Sequence, residues 1–234
     1  MNLFDFFEKI YLINLEERQD RLEKSLTNFN NYEINNFEKF NGVKINDDDY
    51  IGLSEKDKCQ LGCSLSFYRV IKDAYTKNLN SILIFEDDFE FIHSKENTDL
   101  FLKKSIDSLP LDWDVFYLGA NIMYDYTSSP VEKFSDSLLK LKSAYCCHAI
   151  SFSRKGILKI LEIFPNESLF IEAMNSYKIF DIFLAQYFCF NNSCFICSEM
   201  LCIQSPGFSS IENCMTDYSD LKDRHQNAIS SLNY

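Results

Sequence analysis

Three consecutive carboxylates, Glu86, Asp87 and Asp88, follow directly on the apolar run Ile82-Leu83-Ile84-Phe85. At ~5 Å and an effective dielectric of about 20, each ionised pair repels by roughly 3 kcal/mol. Open solvent, a raised pKa or a cation must offset that. An oxygen-only cluster of this kind suits a hard divalent ion, Mg2+ or Mn2+; the plain alternative is a solvated turn. Arg18 and Arg21, one helical turn apart, either clamp a phosphate or base, or pair with Glu16, Glu17 or Asp20. Asp181 is a lone acid at the start of a short aromatic helix. Cys194-Phe-Ile-Cys197 has zinc-ligand spacing, but no second such pair and no paired histidines accompany it, which argues against zinc.

The elements that must carry these residues read as an α/β alternation. A short continuous apolar run with β-branched and aromatic members predicts a strand buried on both faces. Ile10 to Leu15 and Ser81 to Glu86 both fit. In open α/β sheets the ligand crevice lies at the carboxyl ends of the strands, where the three acids would stand. After the first strand a helix is predicted with Leu22, Leu26 and Phe29 inward, and a second strand within Tyr32 to Val43. Asn46 to Tyr50 is an acidic loop. Ser54, with Asp57 three residues on, starts a helix to about Lys77, with Leu61, Leu65, Tyr68, Ile71 and Tyr75 on one face. Gly62 and its small neighbours inside that helix cost stability and mark the close approach of a backbone or a ligand. A helix over Asn97 to Leu109 follows, then a strand from Trp113 to Gly119. Leu138 to Lys142 and Tyr145 to Phe152 read as a strand pair, Ser153 caps a helix, and residues 193 to 204 hold one or two late strands. From Asn213 the chain is polar and reads as a poorly ordered tail. The expected organisation is one domain over residues 1–212 and a tail over 213–234.

Composition bounds the function. The 234 residues suffice for one large core. With 35 acidic against 23 basic residues, the net charge of −12 argues against DNA or RNA, whose binding needs phosphate-neutralising lysines and arginines. No apolar run approaches the ~18 residues of a membrane span, and no basic n-region or cleavage site marks a signal peptide. Nine scattered cysteines, mostly in apolar contexts, fit free thiols in a reducing compartment. A cytoplasmic location is the resulting expectation.

Several blocks together resemble glycosyltransferase family 25, the lipopolysaccharide-type and procollagen galactosyltransferases. Residues 10 to 21 (Ile-Tyr-Leu-Ile-Asn-Leu-Glu-Glu-Arg-Gln-Asp-Arg) look like that family's opening Ile-Asn-Leu-x-x-Arg-x-x-Arg block. Leu61-Gly-Cys-Ser-Leu-Ser66 resembles its Ile-Gly-Cys-x-x-Ser-His helix. Residues 83 to 88 match its strand ending Glu-Asp-Asp, and Asp114 to Gly119 its Asp-x-x-x-Leu-Gly strand. His148 to Ser151 with Lys155-Gly156, the acid Asp181, Gln204 and Phe208 to Ile211 fall in the remaining blocks. Two positions depart: Phe67 stands in place of the usual His, and Ser210 where Asp is frequent.

The resemblance implies a single-domain GT-A (Rossmann-like) fold with a mixed central sheet flanked by helices. It also implies transfer of a hexose, galactose or glucose, from a UDP-sugar to a glycan or protein-linked hydroxyl, with inversion. On that basis Glu86, Asp87 and Asp88 hold Mn2+ or Mg2+. Asn14, Leu15, Arg18, Arg21, Ser66 and Asp87 face the nucleotide sugar, and Asp181 is the base that deprotonates the acceptor. Asp181 has a plainer reading as an N-cap. Asp114 is the second candidate base but belongs to the wrong edge of its strand. His148 is either a metal or phosphate contact or a core residue. Tyr117, Tyr124, Phe183 and Tyr187 are candidates for stacking on a sugar. Three rival readings stand beside this one: a nucleotide-sugar-binding pseudoenzyme, another metal-dependent nucleotide enzyme on the same fold, and a plain interaction domain.

Overall fold

The structure, a computed structural model, describes residues 2–46, 52–124, 127 and 129–233. The acidic run over residues 47–50 lies outside the described residues. Strands β1 (Lys9–Asn14), β2 (Phe37–Asn41) and β3 (Ser81–Glu86) run parallel, joined by helices α1 (Gln19–Asn31) and α2 (Glu55–Thr76). Strand β8 (Tyr145–Ser153) lies antiparallel to both β3 and β5 (Val115–Asn121). Strand β9 (Cys194–Cys197) continues parallel to β5, and β6 (Val131–Lys133) and β7 (Leu138–Leu141) close that edge. The eight-stranded order is β2-β1-β3-β8-β5-β9-β7-β6. The expected class, α/β with a mixed central sheet flanked by helices, is therefore what the chain adopts.

Period-two alternation along buried strands divides the core between the two sheet faces. Tyr11, Ile13, Ile82 and Ile84 pack with α2, with α4 (Arg154–Ile163) and with α5 (Glu167–Tyr177). Ile10, Leu12, Leu83 and Phe85 pack on the other face with α1 and with α3 (Lys95–Ser108). Cys194 belongs to the first core and Cys197 to the second. Two residues three apart on a strand point to opposite faces, so they cannot share a zinc ion. All nine cysteines are free.

Several expectations need correction. Leu138 to Lys142 and the Tyr145 strand are not partners: β7 pairs with β6 and β9, while β8 inserts between β3 and β5. Their nearness in sequence suggested a hairpin, but β8 is buried along most of its length and takes the sheet's centre. Tyr75 and Leu26 are exposed rather than inward. Residues after Asn213 are not a loose tail. Strand β12 (Cys214–Thr216) pairs with β11 (Gly207–Ser209), and α8 (Leu221–Ser230) buries Leu221, His225 and Ala228. Those three sit at i, i+4 and i+7, one stripe of a helix, and their low apolar count hid it.

Candidate functional site

Glu86 ends β3, and Asp87 and Asp88 form the turn that leads into β4 (Phe89–Phe91). Phe85 and Phe89 pack against Phe29 of α1 with centroids 5.3 and 5.2 Å away. That aromatic anchor fixes the turn, so the carboxylates project at the carboxyl ends of β1 and β3. In register, Ile13 of β1 lies opposite Glu86, which sets Asn14 beside Asp87. Asn14 Nδ2 donates to Asp87 Oδ2 at 2.8 Å and to the Arg18 carbonyl at 3.0 Å. Strand β10 (Cys202–Gln204) pairs with β4 and sets Gln204 opposite Phe89. The next residue, Ser205, donates its N–H to the Asp88 carbonyl at 2.7 Å.

Arg21 is the cation that meets the acids. Its Nη1 donates to Asp87 Oδ1 at 2.8 Å and to Asp88 Oδ2 at 3.1 Å, while Nη2 donates to the Phe208 carbonyl at 2.9 Å. Arg18 instead forms a two-point pair with Asp20, the plainer of its two readings, although its side chain still lines a cavity beside the acids. Burial, with Asp88, Asp87 and Asp181 close by, pushes Glu86 well above the usual carboxylate range. Burial raises Asp88 as well, against the pull of Arg21. It also raises Asp87, which Arg21 and Asn14 oppose.

Two cavities meet at this cluster. The larger, about 360 Å³, lies at the ends of β1 and β2 and is walled by Leu15, Arg18, Lys44, Ser66 and Asp87. The smaller, about 230 Å³, holds Asp181, Tyr145, Phe180 and Tyr218. Glu86, Asp88, Arg21, Cys63, Phe67 and Gln204 belong to both.

Helix α2 positions both chambers through the segment that begins at Gly62. A Cβ on Gly62 would stand 2.4 Å from the Val43 carbonyl oxygen, so only glycine lets the residue 42–45 loop lie on the helix. Ser66 Oγ accepts the Val43 N–H at 2.8 Å and donates to the Gly62 carbonyl. Its hydroxyl is thus used to hold the chamber wall. Ser64 Oγ accepts the Phe180 N–H at 3.0 Å, and Phe67 stacks on Phe180 at 5.8 Å. These contacts bring in α6 (Phe180–Phe183), which runs through a π-helical turn (Leu184–Phe188) into α7 (Cys189–Asn191).

Asp181 does not cap α6; that position belongs to Ile179. Its Oδ2 accepts the N–H of Cys146 at 3.0 Å, where Cys146 holds a left-handed φ of 66°. Burial raises its pKa, and the Cys146 N–H acts in the opposite sense. Asp114 lies just before the amino end of the interior strand β5, paired with Lys159 at 2.7 Å. His148 is a core residue: its Nε2 lies 3.0 Å from the Cys202 carbonyl, and burial lowers its pKa to about 4. Tyr117 and Phe183 are buried in the core, and Tyr124 and Tyr187 are exposed. None of these four walls either chamber. Besides Phe67, the aromatics that do are Tyr145, Phe180 and Tyr218; these three were missed because aromatic residues are plentiful throughout the chain. Tyr218 was also hidden by the polar composition around it.

A cation fits the donor chemistry of the junction. Asp88 Oδ1, Asp181 Oδ1 and Gln204 Oε1 are inaccessible and accept no hydrogen bond. Buried acceptors without donors are costly, and carboxylate and amide oxygens are the ligands a hard divalent ion takes. Among the described residues, no three acidic, histidine or cysteine side chains already converge as a ligand set. Arg21 supplies the positive charge instead.

The family profile described as glycosyltransferase family 25 (LPS biosynthesis protein) matches residues 7–166. The chain belongs to glycosyltransferase family 25. It is 27% identical over 175 residues to procollagen galactosyltransferase 2 of Mus musculus, covering 68% of this chain and 28% of that protein. It is 26% identical over 176 residues to the probable inactive glycosyltransferase 25 family member 3 of Bos taurus, covering 68% and 29%. The chain thus spans less than a third of the length of these curated relatives. Among solved structures it aligns with a mannose-1-phosphate geranyltransferase from Thermus thermophilus, at a TM-score of 0.42 and 8% identity, covering 81% of this chain and 72% of that one. In this family 25 chain, each of the motif blocks between residues 10 and 156 falls inside the matched span.

Proposed function

We propose that the chain is a metal-dependent inverting glycosyltransferase that moves galactose or glucose from a UDP-sugar to a hydroxyl of a glycan or protein-linked acceptor. The observation that carries this reading is the pair of chambers sharing one acidic wall, with Asp181 in the smaller alone. A nucleotide diphospho-sugar has the matching shape: a nucleoside, a charged link and a sugar.

In this reading the nucleoside occupies the larger chamber, against Leu15 and beneath Arg18. Asn14 keeps Asp87 oriented towards it. The diphosphate lies at the shared wall, where Glu86 and Asp88 with Gln204 would hold Mn2+ or Mg2+. When bound, that ion would act as a Lewis acid on the leaving diphosphate. The sugar projects into the smaller chamber. Asp181, raised in pKa by burial, takes the proton of the acceptor hydroxyl as the new glycosidic bond forms on the face opposite the departing UDP. General-base assistance of this kind is typically worth ~10² to 10⁴ in rate. Phe67 and Phe180 exclude water from that chamber's inner wall.

Release of UDP from UDP-galactose and UDP-glucose, with and without Mn2+, tests the proposal. Metal-stimulated release that rises with added glycan acceptors supports it; release unaffected by chelation removes the metal. A second reading, a sugar-nucleotide-binding protein without turnover, is favoured by Phe67 in place of the family's histidine and by relatives named inactive. It predicts UDP-sugar binding with no UDP release.

A further inference from the structure

We infer that Arg21 competes with a divalent cation at the Asp88 carboxylate and that the same guanidinium latches the β11–β12 hairpin over the site. This rests on the cation reading above and adds a role for a residue whose expected partner was the nucleotide. One guanidinium spans two structures. On one side it bonds Asp87 and Asp88; on the other it bonds the Phe208 carbonyl of β11.

The hairpin is built as a door. Ser209, Ile211, Glu212 and Thr216 line the chambers beneath it, and its outer face exposes Phe208 and Met215. Its near end is fixed, since Ser205 bonds the Asp88 carbonyl, Lys24 and Glu90. Beyond that anchor come Pro206 and then Gly207, whose absent side chain would meet nothing within 4 Å. Two clasps hold it down, Arg21 on Phe208 near its base and Lys56 on Glu212 near its tip at 3.0 Å. Of these, only Arg21 also touches the acids.

A divalent ion on Glu86 and the unpartnered Asp88 Oδ1 would share the Asp88 carboxylate with Arg21, which holds Oδ2, and would repel the guanidinium at short range. The Nη2 bond to Phe208 would go with it. Cation binding would then be coupled to release of the hairpin, and by reciprocity a closed hairpin would weaken cation binding.

The test uses the whole chain, Mn2+ alone as the probe, calorimetry for affinity and amide hydrogen exchange for the hairpin. In the wild type, Mn2+ should speed exchange across residues 207–216. Arg21→Gln should bind Mn2+ about tenfold more tightly, with fast hairpin exchange whether or not Mn2+ is present. Lys56→Ala, which touches no acid of the triplet, should loosen the hairpin and tighten Mn2+ binding by clearly less than Arg21→Gln, which also removes the direct competition. Equal or weaker Mn2+ binding by a folded Arg21→Gln, or hairpin exchange indifferent to Mn2+ in the wild type, overturns the latch. An affinity gain in Lys56→Ala as large as in Arg21→Gln would assign the effect to the hairpin and overturn the competition. No Mn2+ binding in any of the three proteins would instead sink the cation reading itself.

Discussion

Gly62→Ala probes the construction of the larger chamber more sharply than any change to an acid. The added Cβ would lie 2.4 Å from the Val43 carbonyl oxygen, where an ordinary carbon–oxygen contact is ~3.3 Å. The residue 42–45 loop must therefore retreat by roughly 0.9 Å. Overpacking of this kind costs about 1–3 kcal/mol. Stretching the Val43–Ser66 hydrogen bond adds about 1 kcal/mol. Alanine returns about 1 kcal/mol as a better helix former. The balance is a loss of about 2 kcal/mol, or roughly 4–8 °C in Tm for a chain of this size. Because that loop walls the larger chamber, UDP affinity should fall about tenfold or more. Thermal melting and UDP calorimetry measure both effects. A variant that gains about 1 kcal/mol, as helix propensity alone dictates, with unchanged UDP affinity would refute the close approach and the wall built on it.

Asp181→Asn should keep UDP-sugar affinity within about twofold while transfer falls by ~10² or more; normal transfer in a coupled UDP-release assay rules it out as the base. Leu221→Ala should cost roughly 2–4 kcal/mol in urea unfolding, since the side chain is fully buried, whereas a loose tail would give no change. His148 contributes a pH dependence with a fixed sign. Its folded pKa lies near 4 against an ordinary 6.5, so its share of stability is complete above about pH 6.5 and drains as pH falls towards 4. That share is of order 3 kcal/mol, and a His148→Gln variant should show a flatter stability profile across that window.

Much of the sheet was legible in the chain because parallel buried strands announce themselves. Ile10 to Asn14 and Ile82 to Phe85 are unbroken apolar runs, and each is followed by the polar residues that belong at a strand's carboxyl end. The acid triplet and Arg21 were found for the same reason. The roles within the site were harder to read. Ser66 presents a hydroxyl one turn from Gly62, yet only the fold shows that Val43 already uses it. Whether Arg18 or Arg21 meets the acids depends on which side of α1 faces the β3 turn, and two arginines three apart do not decide that. Strand order was misread where sequence neighbours, β7 and β8, part to opposite sides of β5 and β9. The C-terminal helix escaped notice because a stripe of Leu221, His225 and Ala228 carries little apolar signal, although it is enough to dock a helix on an existing core.

The central claim is that the acids ending β3 hold a cation where two chambers meet. Calorimetry of UDP binding with and without Mn2+, on the wild type and Asp88→Asn, tests it most directly. Strong UDP binding that requires Mn2+ in the wild type, and is lost in a folded Asp88→Asn, is the expected result. UDP binding of equal strength with and without Mn2+, or Mn2+ enhancement that survives in Asp88→Asn, would contradict it.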